Sequence, residues 1–407
     1  MVGSIGAVPL AAAALVNGLF ALMLVLGIGM TLAITPLVAI AKGSKNFDEC
    51  GVVLRQSLIV NTIFSLLLLL MIIGISFLIK HLNQPVDVVT EAESYIRILG
   101  FSLIPVMLFQ SYRQFLEGLS FVRPPMIITI IANVFNAFFN WIFIFGNLGF
   151  KEMGLDGAGW ATLLTRLIMA AALVVHVLYS QKYKRFDPTL NYRKIDFSMI
   201  KKIVNIGLPS GFQYFLEVGA FAFGAIMIGW IGSVPLAAHQ IAINLASVSY
   251  MIILGIATAG TIRVGNYLGE NNPADTRRSG FAAMILAVSV MGAFGATFII
   301  FRKFLPTIYI NEEPVIALAS NLLIVAGLFQ LSDGTQATGL GILRGLTDVK
   351  VPTLYTFVAY WIIGIPIAYL FGFFMDLGAI GVWIGYSAGL TVIALLLTVR
   401  FHRKTKL

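Results

Sequence analysis

Eleven stretches of this chain are apolar over about twenty residues or more, and that property limits what it can fold into. They fall near residues 10–40, 56–80, 92–116, 126–146, 158–181, 200–229, 235–262, 279–302, 315–341, 352–374 and 378–400. A bilayer core of about 30 Å is crossed by about 20 helical residues, so each stretch is long enough to span it. Of 407 residues, 59% are hydrophobic and 11% charged, with a mean hydropathy of +0.93. A soluble domain carries roughly a quarter charged residues, so lipid is the solvent this composition suits. The segment lengths favour helices over strands. Pro105, Pro209, Pro366 and Gly207 lie inside segments, where neighbouring helices can re-satisfy the backbone. The first segment is too long for a signal peptide and has no basic stretch before it, so it reads as uncleaved. A single cysteine, Cys50, excludes a disulfide framework and a Cys-rich metal site.

The net charge of +9 need not mean nucleic acid, because the basic residues sit between apolar runs and form no stripe. One set of loops holds 21 Lys and Arg, among them Lys42, Arg55, Arg113, Arg123, Lys182, Arg193, Lys194, Arg263, Arg278, Arg344 and Arg400. The alternate loops hold four: Lys80, Lys151, Arg302 and Lys303. Cytoplasmic loops carry the excess, which predicts a multi-pass protein of the cell (inner) membrane with a cytoplasmic C-terminus and Met1 outside. The longest basic loop, residues 182–200, separates an N-terminal lobe (1–190) from a C-terminal lobe (191–407).

The chain also repeats itself. Met1-Val2-Gly3-Ser4-Ile5-Gly6-Ala7-Val8-Pro9-Leu10-Ala11-Ala12 aligns with Met227-Ile228-Gly229-Trp230-Ile231-Gly232-Ser233-Val234-Pro235-Leu236-Ala237-Ala238, an offset of 226. Gly29/Gly255 and Gly43/Gly269 keep that offset, Gly118/Gly345 and Pro125/Pro352 match at 227, and Gly154/Gly378 and Gly157/Gly381 at 224. Fixed self-similarity is the signature of a duplicated unit. One helix, near 200–226, precedes the second copy, and none precedes the first. The expected fold is therefore all-α: two six-helix lobes related by a pseudo-two-fold along the membrane normal, with eleven helices in this chain and the first one missing, as in a fragment or a misplaced start.

Ionisable residues deep in a span are costly, which makes each a functional candidate. Glu217 sits midway in one span and Asp333 inside another, with no Lys or Arg expected nearby at membrane depth. Such a pair suits exchange of protons and cations, with Na⁺ one candidate ion. The alternative is that each carboxylate bonds a Ser, an Asn or the backbone in a static core. Polar neighbours that could line a cavity are Gln213, Gln336, Gln240, Asn244, Asn136 and Asn140, for which interhelical hydrogen bonding is the simpler account. Arg166 is the deepest basic residue, read as ion-paired or snorkelling. His239 and His176 lie nearer segment ends, where an imidazole meets solvent. Phe and Met would suit an adaptable cavity for aromatic cations, though lipid also explains them. The chain carries no GxxxxGK[ST] and no HExxH, and its Gly385-Tyr386-Ser387-Ala388-Gly389 run lies inside an apolar span and makes no nucleophile elbow, so no enzyme reading gains support.

Several motifs resemble the multidrug and toxic compound extrusion (MATE) family, NorM branch. They are Pro235-Leu236-Ala237-Ala238-His239-Gln240-Ile241-Ala242, Arg263-Val264-Gly265, Phe329-Gln330-Leu331-Ser332-Asp333-Gly334 with Gln336, Leu343-Arg344-Gly345-Leu346-Thr347-Asp348-Val349-Lys350-Val351-Pro352, and Tyr360-Trp361-Ile362-Ile363-Gly364-Ile365-Pro366. The resemblance spans the whole chain. It implies an antiporter that works by alternating access, exporting small organic cations in exchange for Na⁺ or H⁺, with no cofactor and the lipid bilayer as its surroundings; we expect a monomer. The family's coupling carboxylates match Glu217 and Asp333. Some members place a Tyr where Phe329 stands, and the N-lobe Asp of the family's first helix has no counterpart here. Tyr360 joins the cavity candidates. Two other readings are a lipid-linked oligosaccharide flippase of the same helical plan and a truncated product that does not transport.

Overall fold

In the computed structural model, residues 2–81, 84–189 and 195–406 are described; Met1, Arg193 and Lys194 of the readings above lie outside them. Eleven helices among the described residues are long and apolar enough to cross a membrane. We label them α1 (Ala7–Gly43), α2 (Phe47–His81), α3 (Val86–Gly118), α4 (Arg123–Phe145), α5 (Gly154–Tyr179), α6 (Phe197–Ile231), α7 (Ser233–Gly269), α8 (Pro273–Ile300), α9 (Glu313–Gly345), α10 (Lys350–Phe374) and α11 (Gly378–Lys404). Several run past their apolar stretches. Helix α2 begins with Asp48 and Glu49 in its first turn, capped by the Asn46 side chain, so its polar start extends beyond the hydrocarbon.

The interior prolines are accommodated locally. Helix α1 breaks at Leu32–Ala33, four residues before Pro36, where the ring removes a hydrogen bond. Helix α3 breaks at Ser102, just ahead of Pro105, and the Ser102 hydroxyl donates to the Leu99 carbonyl at 2.5 Å. Helix α10 widens into π-helical turns at Val358–Gly364 and Leu370–Phe374, either side of Pro366. Such widenings cluster at functional sites.

The chain forms two compact units, one of residues 1–42 and 46–211, the other of 43–45 and 212–407. Helix α6 thus gives its first part to one unit and the rest to the other. Within the first unit, Gly207 and Gly211 form a Gly-x-x-x-Gly step on α6. A Cβ on Gly211 would stand 2.8 Å from the Leu26 carbonyl oxygen, and one on Gly207 2.7 Å from the Met30 sulfur. Backbone thus meets α1 where any side chain would intrude. In the second unit, α9 packs against α7, α8 and α11. The core there contains Leu322, Leu323, Phe329, Ile342, Leu343 and Trp383.

The sequence repeat recurs in local geometry. Gly6 and Gly232 share extreme φ values of 145° and 150°, before α1 and α7. Asn46 caps α2 by accepting from the Glu49 amide, and Asn272 caps α8 by accepting from the Asp275 amide. A Cβ on Gly118 would press on the Thr35 carbonyl and the Val38 side chain, and one on Gly345 on those of Thr261 and Val264.

Candidate cation site

Four helices of the second unit converge on the two carboxylates. Helix α6 brings Gln213, Tyr214 and Glu217, α7 brings Ser249 and Tyr250, α9 brings Gln330, Asp333 and Gln336, and α10 brings Tyr360. Glu217 is 5% exposed, Asp333 6%, and Gln336 not at all. Asp333 and Glu217 lie close enough for their charges to act on each other, and Gln336 faces Glu217. The Tyr250 hydroxyl donates to Glu217 Oε1 at 3.1 Å. Gln330 Nε2 donates to Ser249 Oγ at 2.8 Å, holding α9 to α7 one turn from Asp333.

What the cluster lacks is as informative as what it has. Glu217 Oε2, Gln330 Oε1, both amide ends of Gln336 and the Tyr360 hydroxyl are buried without a hydrogen-bond partner. A buried polar atom left unpaired costs about 1–3 kcal/mol. Carboxylate, amide and hydroxyl oxygens are the donor types a hard cation takes. No group of three or more His, Cys, Asp or Glu that could hold a metal ion occurs among the described residues.

Two anchors fix α6 beside the site. The indole of Trp361, in the π-helical stretch, donates to the Leu216 carbonyl at 3.0 Å. Tyr386 on α11 donates to the Phe221 carbonyl at 3.1 Å. Both carbonyls flank Glu217, so its turn is held from two helices.

A family model, MatE, matches residues 1–142 and 209–370. The chain is 34% identical to a protein of Mesorhizobium japonicum named "Probable multidrug resistance protein NorM", covering 100% of this chain and 89% of that one. It is 30% identical to the multidrug resistance protein NorM of Vibrio parahaemolyticus, over 99% of this chain and 89% of the relative. The chain belongs to the MatE family. Its backbone agrees: the eukaryotic MATE transporter AtDTX14 superposes with a TM-score of 0.87 at 22% identity, covering 100% of this chain and 92% of that one. An outward-facing multidrug resistance MATE family transporter superposes with a TM-score of 0.89 at 22% identity, covering 98% and 88%. As a MatE protein the chain is a multi-pass membrane transporter and not an enzyme.

Within this MatE chain Gln213 stays beside the carboxylates and the remaining sequence candidates separate from them. Gln213 is buried one turn before Glu217. Phe329 turns into the core, its ring 5.5 Å from that of Trp383. Gln240 and Asn244 are exposed, and Asn244 accepts from the Tyr309 hydroxyl at 2.8 Å. Asn136 and Asn140 belong to the first unit, where Asn140 donates to Asn136 Oδ1 at 3.0 Å and Asn136 to Thr165 at 3.3 Å.

Three expectations about charge and solvent need correction. Arg344, counted above as a loop cation, lies in the last turn of α9 and is 8% exposed, because that helix runs to Gly345. Its guanidinium sits over the Tyr214 ring at 5.8 Å and acts electrostatically on Glu217, so the carboxylates do have a cation nearby. His239 is 2% exposed and accepts from the Trp383 indole at 3.1 Å, so its imidazole meets no solvent. Arg166 neither pairs with a carboxylate among the described residues nor snorkels: it donates to Ser102 Oγ at 2.5 Å and lies over the Phe20 ring at 5.2 Å.

Sequence reasoning missed Tyr250, Tyr214, Gln330 and Arg344 as neighbours of the site. The repeat held a signal for Tyr250 and Gln330. The first copy has Leu24 where the second has Tyr250, Leu103 for Gln330, and Val106 for Asp333. At these three positions the second copy is polar where the first is apolar.

Proposed function

We propose that this chain is a secondary active antiporter that exports small organic cations in exchange for Na⁺ or H⁺, with Glu217 and Asp333 as the coupling groups. The observation that carries the reading is the buried carboxylate pair, one oxygen of which has no hydrogen-bond partner. A coupling ion entering there would satisfy those atoms. It would favour one facing state of the transporter, and a bound drug would favour the other; antiport requires that differential affinity. Gln336 and Tyr360 complete the coordination in this reading, and Gln213 adjoins it. Alternating access then moves the N-terminal lobe (1–190) against the C-terminal lobe (191–407).

The names of the relatives, multidrug resistance protein NorM, support drugs as the substrate class. They do not favour a flippase or a non-transporting product. The excess of Lys and Arg in one set of loops supports the inner membrane with the C-terminus in the cytoplasm. Both carboxylates come from one unit of one chain, so a monomer suffices.

The test is ethidium efflux driven by imposed gradients in cells or everted vesicles. Replacing Asp333 with Asn should abolish ion-driven efflux while expression stays intact, and unchanged efflux would sink the assignment. Comparing Na⁺ with pH gradients selects the ion.

A further inference from the structure

We propose that a groove between α7 and α8 binds one anionic phospholipid, its phosphodiester held by Arg263 and Arg278 and an acyl chain laid along Ile252 and Leu286. The groove has a cavity volume of about 640 Å³ and lies wholly within the second unit. Its two ends differ in chemistry. The deep part is walled by Ile252, Ile256 and Leu286, and its floor is kept low by Gly255 and Ala259. A Cβ added to Gly255 would meet nothing within 4 Å, so that wall faces open space. The mouth carries Arg263, Arg278, Tyr267 and Ser279.

Both arginines are available to an anion. Arg263 makes no ion pair among the described residues. Arg278 reaches Asp275 Oδ1 only at 3.5 Å with 81% of its side chain exposed, a pair worth little. Asp275 also lines the mouth, but its other oxygen accepts from Asn272 Nδ2 at 2.8 Å in the cap of α8. Basic pockets between membrane helices recognise anionic headgroups in this manner.

The dimensions match one leaflet. At about 1.5 Å rise per residue, Ile252 lies about 16 Å below Arg263, and Leu286 about 12 Å below Arg278. Half of a 30 Å hydrocarbon core is about 15 Å. A phosphate at the arginines therefore leaves an acyl chain running the depth of the groove.

Nor does the fold need these arginines. The caps at Asn46 and Asn272 hold the two copies in register at an offset of 226. At that offset the first copy has Leu37 in place of Arg263, Val52 for Arg278 and Ala41 for Tyr267. The same helical turns form with apolar residues in those places, so the charged mouth is an addition peculiar to the second copy.

The experiment uses the full chain purified from nanodiscs of equal parts phosphatidylglycerol and phosphatidylcholine, with retained lipid read by native mass spectrometry. Phosphatidylglycerol should be retained over phosphatidylcholine by on the order of 30-fold, about fivefold for each arginine. Arg263→Gln with Arg278→Gln should erase that preference. Gly255→Leu, which keeps both charges and fills the groove, should lose the bound lipid as well. Millimolar inorganic phosphate should leave the lipid in place. Equal retention of the two lipids by the unaltered chain would overturn the proposal. So would an undiminished preference in the double variant, or displacement by inorganic phosphate, which would mark a site for free anions. If the double variant aggregates, Gly255→Leu decides: retained phosphatidylglycerol in that variant overturns the proposal too.

Discussion

The hydroxyl of Tyr250 on α7 donates to Oε1 of Glu217 on α6, leaving Oε2 of the same carboxylate without a partner. One oxygen is thus fixed by a hydroxyl, and in the proposed function the other takes the ion. Tyr250→Phe should loosen the fixed oxygen while preserving the ring's packing. A hydrogen bond to a charged group is worth about 1.5–3 kcal/mol, so the half-saturating concentration of the coupling ion should rise roughly ten- to hundredfold. The check is ion-dependent ethidium efflux, with maximal rate and half-saturation measured separately; an unchanged half-saturation refutes the role.

Arg344 should act in the opposite sense. Its positive charge reaches Glu217 and opposes any cation bound there. Two unit charges separated by on the order of 10 Å interact by about 1–2 kcal/mol at an effective dielectric of 20. Arg344→Gln should therefore tighten Na⁺ binding by about fivefold or more, read as a lower half-saturating concentration. Looser binding would show that the guanidinium serves only to pack against Tyr214.

At Gly211 the constraint is steric. A side chain there must displace the α1 backbone at Leu26, and overpacking of this kind costs about 1–3 kcal/mol. Gly211→Leu should lower the thermal unfolding midpoint in detergent. Gly255→Leu, built into open space, should lower it far less.

Arg55 on α2 and Asp187 beyond α5 give a pH dependence outside the membrane. Partial burial pushes the Asp187 carboxyl up, but hydrogen bonds from Thr189 and Arg55 outweigh that and hold it below its ordinary 3.8. The Arg55–Asp187 contact is 2.7 Å. A depressed carboxylate contributes stability that is present above its unfolded pKa and lost as pH falls through the folded value. Protease cleavage at residues 181–189 should stay low near neutral pH and rise below about pH 4, once the carboxyl is protonated. Arg55→Gln should bring that rise to higher pH.

Much of this molecule was legible because lipid simplifies the rules. Each span must be long, apolar and helical, so eleven segments could be counted before any coordinate was known. The duplicated glycines and prolines carried over directly, since Gly6 and Gly232 or Gly118 and Gly345 are fixed by local backbone needs. Glu217 and Asp333 stood out because charge is rare at that depth. What remained hidden were contacts between helices distant in sequence. Nothing in the residues around Tyr250 says that it meets Glu217, 33 positions earlier. His239 and Arg344 were misplaced for a different reason. Apolar stretches stop at the membrane boundary, whereas the helices and their tertiary packing do not, so side chains near a segment's end became core.

The widened turns of α10 have a mechanical meaning. A π-helical turn holds one residue more than its neighbours and can pass that surplus along the helix without severing the chain's hydrogen bonds. Trp361 sits in the first such turn and is tied to the carbonyl next to Glu217. Winding or unwinding α10 about Pro366 would therefore pull on the peptide that carries the carboxylate. The proposed ion site and the soft stretch of α10 would then form one linkage, through which a change in the fit of an ion would become a change in the pitch of a helix.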